Sequence, residues 1–502
     1  MKRKALTGIA TVLAGAAVLV LAAGCTDSLD VGADRNTLLD GDSGTGGDTD
    51  ADSDSTGEAT QFCWAGELEM GDDPGAGAGS MSSFEDGSFI AAGDKVGRFT
   101  AEGTLMWMYT ADDEVLDEIL WLDSVPSDGT TVVIRSLFDL QWNSYEYLTR
   151  IDADGQELWS RQIAAEYADT LYHNAPQMSF ADVAPDGSVV VAAAFDGEIV
   201  LGEGEVNETT FTSGGAGVLG TYVARFDATG ALVSAVQLSI PLIPLALVVT
   251  HVGDIIVAGI GMEDAAEIYH RDFGDITLLK LSAGGLEQWT EQAITNSSPT
   301  EDAAEINETS PNWMRLLPVN DDAFVLATGF TGELLVLGGD GAQTYINAPA
   351  EIMGTFIARY SADGDLEWVR AQETSDFEDF VRVMSRLISV LPNGDLFVGG
   401  RAYGSISIET ADDGLLELND GDDFTAIYST AGDLFEVKPY DFGPEADFSV
   451  VAAAPFPDDT VMFAAYYAGT ASLALEGGTV FTTTPSAELE PILLFRTCAD
   501  GE

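Results

Sequence analysis

The sequence predicts an all-β protein, a seven-bladed β-propeller of four-stranded blades whose last blade is completed by the N-terminal strand. Three observations lead to this prediction. A short hairpin pattern recurs seven times, a second hairpin turn precedes each copy, and the last copy lacks its final strand. Four antiparallel strands repeated in this way are typical of a propeller. A β-solenoid is the alternative, although its repeats are shorter and more regular.

The recurring hairpin is centred on a turn glycine in every copy: Gly103, Gly155, Gly230, Gly285, Gly364, Gly432 and Gly501. Six copies carry a base five residues earlier: Arg98, Arg150, Arg225, Lys280, Arg359 and Arg496. Four copies carry a tryptophan four residues later: Trp107, Trp159, Trp289 and Trp368. We interpret the tryptophan as packing between neighbouring blades. The base is expected to stack on an aromatic ring or to bond a turn carboxylate.

A second hairpin turn lies upstream of each copy. These turns are Asp86-Gly87, Asp128-Gly129, Asp186-Gly187, Gly253-Asp254, Asp321-Asp322, Asn393-Gly394 and Asp458-Asp459. Asn-Gly and Asp-Gly pairs suit the positive φ angles of tight hairpin turns. Each repeat therefore predicts four strands, here named a, b, c and d, with an a–b turn and a c–d turn.

The seventh repeat stops at its c–d turn and has no strand d. An unassigned strand, Gln61–Met70, precedes the first repeat, and its Trp64 matches the strand-d tryptophans. We expect this strand to complete the last blade, which would remove an exposed sheet edge. The same arrangement places Cys63 beside Cys498, and an exported protein meets an oxidising compartment, so we predict a disulfide between them.

The amino terminus predicts export. Lys2, Arg3 and Lys4 precede an apolar run, Ile9–Leu21, that is too short for a confident membrane span. The following residues, 21–25, resemble a bacterial lipoprotein signal, which implies cleavage after residue 24 and lipidation of Cys25 with fatty acids such as palmitate. An ordinary secretory signal with a chance cysteine is the alternative. Residues 25–60 lack aromatic residues and predict a disordered acidic tether before the propeller at residues 61–502.

The charge balance excludes some partners. The chain has 84 acidic and 20 basic residues, a net charge of −64. Such a surface repels nucleic acid, so none is expected as a partner. The acidity suits saline surroundings or the binding of divalent cations, and calcium is therefore a candidate ligand, although the Asp-rich tether lacks the spacing of an EF-hand loop.

The repeats resemble two groups of proteins. The D-A-x-G-x-x-x-W turns are similar to the tryptophan-docking repeats of quinoprotein-type propellers. Asp186–Phe195, the glycine-rich hairpin at 197–204 and Tyr222–Gly230 together resemble a blade of exported propeller-repeat lipoproteins from myxobacteria. This resemblance implies a propeller over about residues 80–502 and specifies no chemistry. In lipoproteins of this kind, Thr26 after the lipidated cysteine implies the outer membrane or cell surface over the inner membrane.

The sequence offers no catalytic motif. Its three histidines, His173, His251 and His270, lie in different repeats without metal-ligand spacing. The leading hypothesis is a lipid-anchored envelope propeller, tethered to the membrane through Cys25, that acts as a monomeric binding or scaffold module for a protein or glycan partner, with no cofactor evident. The alternative is a quinone- or calcium-dependent oxidoreductase or a carbohydrate-active hydrolase on the same propeller.

The sequence also predicts a partner surface on one face of the propeller. In a propeller the loops from strand d to the next strand a share one face, and here most of them are acidic, as at 112–118 and 373–379. The loop after the third repeat is apolar instead: Ile240, Pro241, Leu242, Ile243 and Pro244. An exposed apolar sector rimmed by charge predicts a partner surface. Burial of the loop against its neighbour is the alternative.

Overall fold

The computed structural model divides the chain into two units, Met1–Gly57 and Glu58–Glu502. It describes residues 62–68, 80–92, 95–110, 116–138, 144–166, 179–195, 197–214, 219–240, 242–261, 276–296, 309–319, 322–330, 333–347, 354–371, 380–403, 406–409, 415–418, 423–440, 446–458, 460–475, 479–483 and 492–497. The predicted signal peptide, Cys25 and the tether lie outside the described residues, as does Cys498.

All regular elements of the described residues are β-strands. The first half of the chain contains β1 (Phe62–Leu68), β2 (Ser80–Ser83), β3 (Phe89–Ala92), β4 (Val96–Phe99), β5 (Leu105–Tyr109), β6 (Leu116–Val125), β7 (Thr130–Phe138), β8 (Ser144–Ile151), β9 (Glu157–Glu166), β10 (Ser179–Val183), β11 (Val189–Phe195), β12 (Glu198–Leu201), β13 (Thr209–Thr212), β14 (Gly220–Phe226), β15 (Leu232–Gln237), β16 (Leu242–Val249), β17 (Ile255–Gly261), β18 (Ile276–Leu281) and β19 (Glu287–Asn296).

The described residues of the second half of the chain also form β-strands. It contains β20 (Thr309–Pro318), β21 (Phe324–Phe330), β22 (Glu333–Leu337), β23 (Gln343–Asn347), β24 (Gly354–Tyr360), β25 (Leu366–Ala371), β26 (Phe380–Val390), β27 (Leu396–Tyr403), β28 (Ile406–Glu409), β29 (Leu415–Leu418), β30 (Asp423–Tyr428), β31 (Leu434–Tyr440), β32 (Ala446–Pro455), β33 (Val461–Gly469), β34 (Ala471–Leu475), β35 (Thr479–Thr483) and β36 (Ile492–Thr497). None of the described residues forms a helix long and apolar enough to cross a membrane.

These strands form seven blades in a ring, as predicted. The four-stranded antiparallel units are β2–β5, β6–β9, β10-β11-β14-β15, β16–β19, β20-β21-β24-β25, β26-β27-β30-β31 and β32-β33-β36-β1. Strands a of successive blades contact one another around the ring, and β32 also contacts β2. The Ser83 hydroxyl donates to the carbonyl of Pro455 across that last seam. The chain is therefore a seven-bladed β-propeller.

The N-terminal strand lies in the seventh sheet. β1 pairs antiparallel with β36, with Phe62 opposite Thr497 and Leu68 opposite Ile492. Phe62 is buried, and its ring packs edge-on against Phe495 at 4.9 Å. β1 thus occupies the strand-d position of a blade whose other three strands come from the end of the chain.

Among the described residues, four blades carry an extra hairpin between strands b and c. The hairpins are β12–β13 in blade 3, β22–β23 in blade 5, β28–β29 in blade 6 and β34–β35 in blade 7. β22 also pairs with β19, the outer strand of blade 4, where Val336 lies opposite Ile294. This pairing covers part of an outer sheet edge and joins two neighbouring blades.

The core consists of apolar layers between adjacent blades. Every residue of β11 is buried, because a middle strand of a blade is covered on both faces by its neighbours. In the layer between blades 4 and 5, the rings of Phe324 and Tyr360, both from blade 5, stack with their centres 5.3 Å apart. These layers explain why strand b reads as a continuous apolar run with little alternation.

The predicted partner surface is wrong. Leu242 and Ile243 are 0% and 4% exposed, and Pro244 is buried beside them, because all three belong to β16, strand a of blade 4. The Leu242 N–H donates to the Thr221 hydroxyl at 2.9 Å. Ile240 is exposed, and Pro241 lies outside the described residues. The apolar run packs between blades, as in the alternative interpretation.

Most of the loops predicted to form an acidic face lie outside the described residues. Of the acids in the loop at 112–118, Asp117 and Glu118 belong to β6, since this inner strand begins earlier than expected. The strand therefore extends into a segment that composition alone marks as a loop.

Candidate functional site

The strand-d tryptophans contact the c–d turn glycine of the next blade. A methyl group built on Gly230 of blade 3 would lie 2.6 Å from Cδ2 of Trp159 in blade 2. The indole N–H of Trp159 donates to the Ala228 carbonyl at 3.0 Å in the same turn. The same contact between an indole ring and a turn glycine occurs in five pairs: Trp64 with Gly103, Trp107 with Gly155, Trp159 with Gly230, Trp289 with Gly364 and Trp368 with Gly432. The predicted blade-to-blade packing is confirmed.

Blade 3 lacks the tryptophan, and the contact there is looser. Val236 occupies the corresponding space, and a methyl group on Gly285 of blade 4 would lie 3.5 Å from its Cγ1. The absence of an indole at this junction therefore changes the packing but keeps the glycine turn, whose φ is 83°.

The strand-c bases bind the a–b turns. The fully buried Arg150 donates to the Asp128 carboxylate at 2.6 Å, to the Thr130 hydroxyl at 2.8 Å and to the Gly187 carbonyl of the next blade at 2.8 Å. Arg98 contacts its own Asp86 and the Gly129 carbonyl of the next a–b turn in the same way. Arg225 also binds its own a–b turn at Asp186, but its contact in the next blade is the Ala283 carbonyl of the c–d turn. Arg98 also lies 3.9 Å from the centre of the Phe84 ring. These contacts confirm the predicted structural role of the bases.

A cavity lies on the propeller axis. Strands a of all seven blades line a cavity of about 760 Å³. Its charged lining residues include Glu85, Asp123, Asp182, His251 and Arg315. Axial cavities of this size accommodate small ligands.

One side of the cavity carries the acids, and the other is mainly apolar but also contains Arg315 and Ser389. The backbone hydrogen bonds of the a–b turns define equivalent positions two residues before each turn. Blades 1 to 3 have Ser82, Asp123 and Asp182 there, whereas blades 4, 5, 6 and 7 have Val248, Leu317, Ser389 and Ala454. The two acids therefore stand outside the repeated pattern of the propeller and form a local feature of blades 2 and 3.

Asp123 is held by residues of blades 1 and 2. Its Oδ1 accepts hydrogen bonds from the Ser82 hydroxyl at 2.8 Å and from the Ser124 N–H at 2.7 Å. The Ser124 hydroxyl in turn donates to the Ser83 carbonyl at 2.7 Å. This network fixes the Asp123 side chain at the seam between two inner strands.

Asp182 spans the seam between blades 3 and 4. Its Oδ1 accepts from the Val183 N–H at 2.8 Å, and its Oδ2 accepts from the Val249 N–H at 2.6 Å. A carboxylate oxygen can accept more than one hydrogen bond. Both oxygens therefore keep acceptor capacity toward the cavity.

The two carboxyl groups hold protons more tightly than ordinary aspartates. Burial raises the pKa of Asp123 to about 6, although hydrogen bonds from Ser82 and Ser124 and the charge of Arg315 act to lower it. Burial and the neighbouring charge of Asp123 raise the pKa of Asp182 to about 8. Near neutral pH, Asp182 is therefore largely protonated while Asp123 is largely ionised and faces the positive charge of Arg315.

A second recess, of about 700 Å³, lies between blades 3 and 4. It contains Arg225, Asp186 and His251, and Arg225 already binds the Asp186 carboxylate at 3.0 Å. His251 is exposed there, while His173 and His270 lie outside the described residues. The charged groups of this recess therefore belong to the turn architecture.

The described part of the chain contains no group of three or more His, Cys, Asp or Glu side chains placed to hold a metal ion. The cavity acids were not predicted as a site. Asp182 lies four residues before the Asp186 turn, but among 84 acidic residues no sequence signal separates it from a solvated one. Only the position of strand a on the axis reveals it.

Taken together, the fold and the axial cavity define a seven-bladed β-propeller with a mixed polar and apolar central pocket. No family model and no curated protein matches the chain. Among solved structures, the Pan2 WD40 domain of Neurospora crassa has 10% identity and a TM-score of 0.39, covering 88% of this chain and 96% of that chain. A protein of unknown function from Bacteroides caccae has 12% identity and a TM-score of 0.32, covering 69% and 90%.

A third similar structure is the catalytically inactive virginiamycin B lyase from Staphylococcus aureus with quinupristin. It has 10% identity and a TM-score of 0.31, covering 77% of this chain and 100% of that chain. Similarities at these scores carry no argument about function.

Proposed function

We propose that the chain is a lipid-anchored propeller of the cell envelope that serves as a binding or scaffold module for a protein or glycan partner. The observation that carries the proposal is that the repeated side chains make contacts within the fold. The strand-d tryptophans and the buried bases such as Arg150 hold blades together and bind turns. The side chains that recur in most blades are therefore structural, and they leave recognition to the surface and the axial cavity.

The anchor in this proposal is a lipid on Cys25, after removal of residues 1–24, with residues 25–60 as the tether and 61–502 as the propeller. The outer membrane or the cell surface is the expected location. The test is membrane fractionation together with metabolic labelling by palmitate. We expect label and membrane association in the natural chain and in Ser28→Ala, and loss of both in Cys25→Ser. A Cys25→Ser chain that stays labelled and membrane-bound would contradict the anchor.

We also propose that Cys63 and Cys498 form a disulfide that locks the chain ends in blade 7. Support comes from the β1–β36 pairing, in which Phe62 lies opposite Thr497, the residue before Cys498. The bond would close a loop of more than 400 residues, for which chain entropy gives at most about 6 kcal/mol of stabilisation.

The binding role is tested with the immobilised full-length chain and purified envelope polysaccharides and peptidoglycan fragments, followed by mass spectrometry of the bound and unbound glycans. We expect saturable retention without shortened products. A carbohydrate-active hydrolase is the second candidate, because Asp123 and Asp182 form a carboxyl pair with raised pKa values and glycoside hydrolysis uses two carboxyl groups. Shortened glycans that disappear with Asp182→Asn would favour the hydrolase over the binding module.

A further inference from the structure

The axial cavity has the features of a built ligand site. It is lined by strands from all seven blades, and its polar groups are concentrated on blades 1 to 3. Asp123 and Asp182 are each fixed by hydrogen bonds from two different blades. The side chains that would orient a ligand are therefore preorganised, which reduces the entropy lost on binding.

We propose that this cavity binds a small organic amine, with its ammonium group on the Asp123–Asp182 pair and its alkyl body against the apolar wall of blades 4 to 6. This inference goes beyond the proposed envelope role and does not depend on the lipid anchor or on a surface partner, because it concerns only the interior of the ring.

The chemistry of the two walls favours an amine. Two carboxyl groups and the Ser82 hydroxyl present oxygen acceptors on one side, and an ammonium group supplies three donors. Val248, Leu317 and Ile388 line the opposite side, which also contains Arg315, and their apolar surface can bury an alkyl chain. A divalent cation fits less well, since calcium takes six to eight oxygen ligands and would leave the apolar wall unused.

The charged side chains that line the cavity are consistent with an amine ligand. Glu85, Asp123, Asp182, His251 and Arg315 are the titratable and charged side chains among its described lining residues. The positive charge of Arg315 favours the ionised form of Asp123. Asp182 holds a proton near neutral pH because burial and the negative charge of Asp123 raise its pKa. An incoming ammonium would displace that proton, so the binding of one cation would release up to one proton to solvent.

The test is isothermal titration calorimetry of the full-length chain with pentylamine at pH 7, repeated in buffers of different ionisation enthalpy. We expect saturable 1:1 binding with net proton release, and affinity that rises up to tenfold per pH unit from pH 6 to pH 8. Pentanol and pentanoate, which match the alkyl body without the cation, should bind at least tenfold more weakly.

Three variants separate recognition from folding. Asp123→Asn and Asp182→Asn keep an oxygen acceptor for the backbone and should weaken pentylamine binding at least tenfold, whereas the exposed control Asp154→Asn should not change it. Ser389→Phe leaves the acids intact and fills the cavity from blade 6, so it should also abolish binding even if an aspartate variant fails to fold.

Several results would overturn the proposal. Pentylamine could give no saturable heat, or pentanol could bind as well as the amine. Binding could survive both Ser389→Phe and a folded Asp182→Asn. Calcium could bind with dependence on Asp123 and Asp182 while the amine does not, and the site would then belong to a divalent cation.

Discussion

At the scale of single residues, the most instructive position is Asp322. It has a φ of 63°, the only positive φ among the described residues other than glycine, at the a–b turn where most repeats have Gly. An L side chain with a positive φ is strained by roughly 1–2 kcal/mol. Glycine avoids this strain, but its greater freedom in the unfolded chain offsets part of the gain in stability.

Asp322→Gly should therefore stabilise the fold, by about 0.5–1 kcal/mol. The measurement is the free energy of unfolding from urea titration. Asp154→Gly is the matched control, because Asp154 is exposed in a turn and its φ is not positive. It should destabilise slightly, and a stabilising Asp154→Gly or a destabilising Asp322→Gly would contradict the explanation.

Arg150 illustrates the structural use of a charged residue. It is fully buried and binds two turns in two blades. Its partner Asp128 is 43% exposed and can be solvated when the arginine is removed, which limits the loss. Arg150→Met should still lower the free energy of unfolding by about 2–4 kcal/mol, whereas Arg161→Met, at an arginine 43% exposed, should lower it by less than about 1 kcal/mol.

The cavity acids predict a pH dependence of stability. The pKa of Asp182 is about 8 in the folded state against 3.8 for an ordinary aspartate, so the folded state keeps a proton that the unfolded chain releases. This stabilisation is complete below about pH 4 and is lost as the pH rises to about 8. The thermal midpoint should fall between pH 5 and pH 9.

Asp182→Asn should flatten that fall, and the exposed Asp154→Asn should leave it unchanged. The turn carboxyls Asp86 and Asp458 do not interfere in this window. Burial acts to raise their pKa values, but hydrogen bonds from Ser88 and Thr460 and the charges of Arg98 and Arg496 lower them overall. Their contribution is lost only at acidic pH. An Asp182→Asn slope equal to that of the natural chain would count against the buried, protonated carboxyl.

At the scale of elements, the c–d hairpin is the unit that joins blades. The indole of one blade covers the turn glycine of the next at five junctions, and Val236 replaces it at the junction of blades 3 and 4. A comparison of Gly230, which faces an indole, with Gly285, which faces a valine, isolates the effect of the indole. Both glycines have similar positive φ angles, 78° and 83°.

Gly285→Ala should cost about 1–2 kcal/mol, the strain of an L side chain at positive φ. Gly230→Ala should cost about 1–3 kcal/mol more, because its methyl group would overlap Trp159. The measurement is urea unfolding of both variants. In a Trp159→Ala background the extra loss at Gly230 should disappear, and equal losses in the natural background would contradict the proposed contact.

Much of the element structure could be predicted from the sequence. The turn glycines, the tryptophans and the bases recur in register, and each has a geometric requirement that a pattern can reveal. The apolar run at Ile240–Pro244 could not be placed, because hydropathy does not distinguish an exposed loop from an inner strand. The pairing of β22 with β19 joins two repeats and leaves no periodic signal.

The cavity site escaped prediction for a similar reason. Asp123 and Asp182 occur once each at a position where other blades have Val248 or Leu317. Residues that depart from the repeat give no periodic signal in the sequence. The structure makes them conspicuous because both acids line the same partly apolar cavity.

At the scale of the whole molecule, the dominant property is the net charge of −64. Mutual repulsion of the acids opposes the compact state, and salt screens it. The thermal midpoint should rise with sodium chloride up to molar concentrations. Calcium at matched ionic strength should give the same shift, and a larger, saturable shift at low-millimolar calcium would show specific cation sites instead.

The architecture itself depends on how the ring is completed. β1 supplies the outer strand of blade 7, and Trp64 contacts Gly103 of blade 1, so the N-terminal strand touches both sides of the last junction. If this contact is locked covalently, blade 7 cannot open without breaking a bond. The chain ends would then share the stability of the complete ring.

The most direct measurement is non-reducing peptide mapping of the full-length chain purified from the envelope. The account predicts one linked pair of peptides, carrying Cys63 and Cys498, that separates on reduction, together with a thermal midpoint several degrees lower in the reduced protein. Free thiols at both Cys63 and Cys498 would contradict the covalent closure.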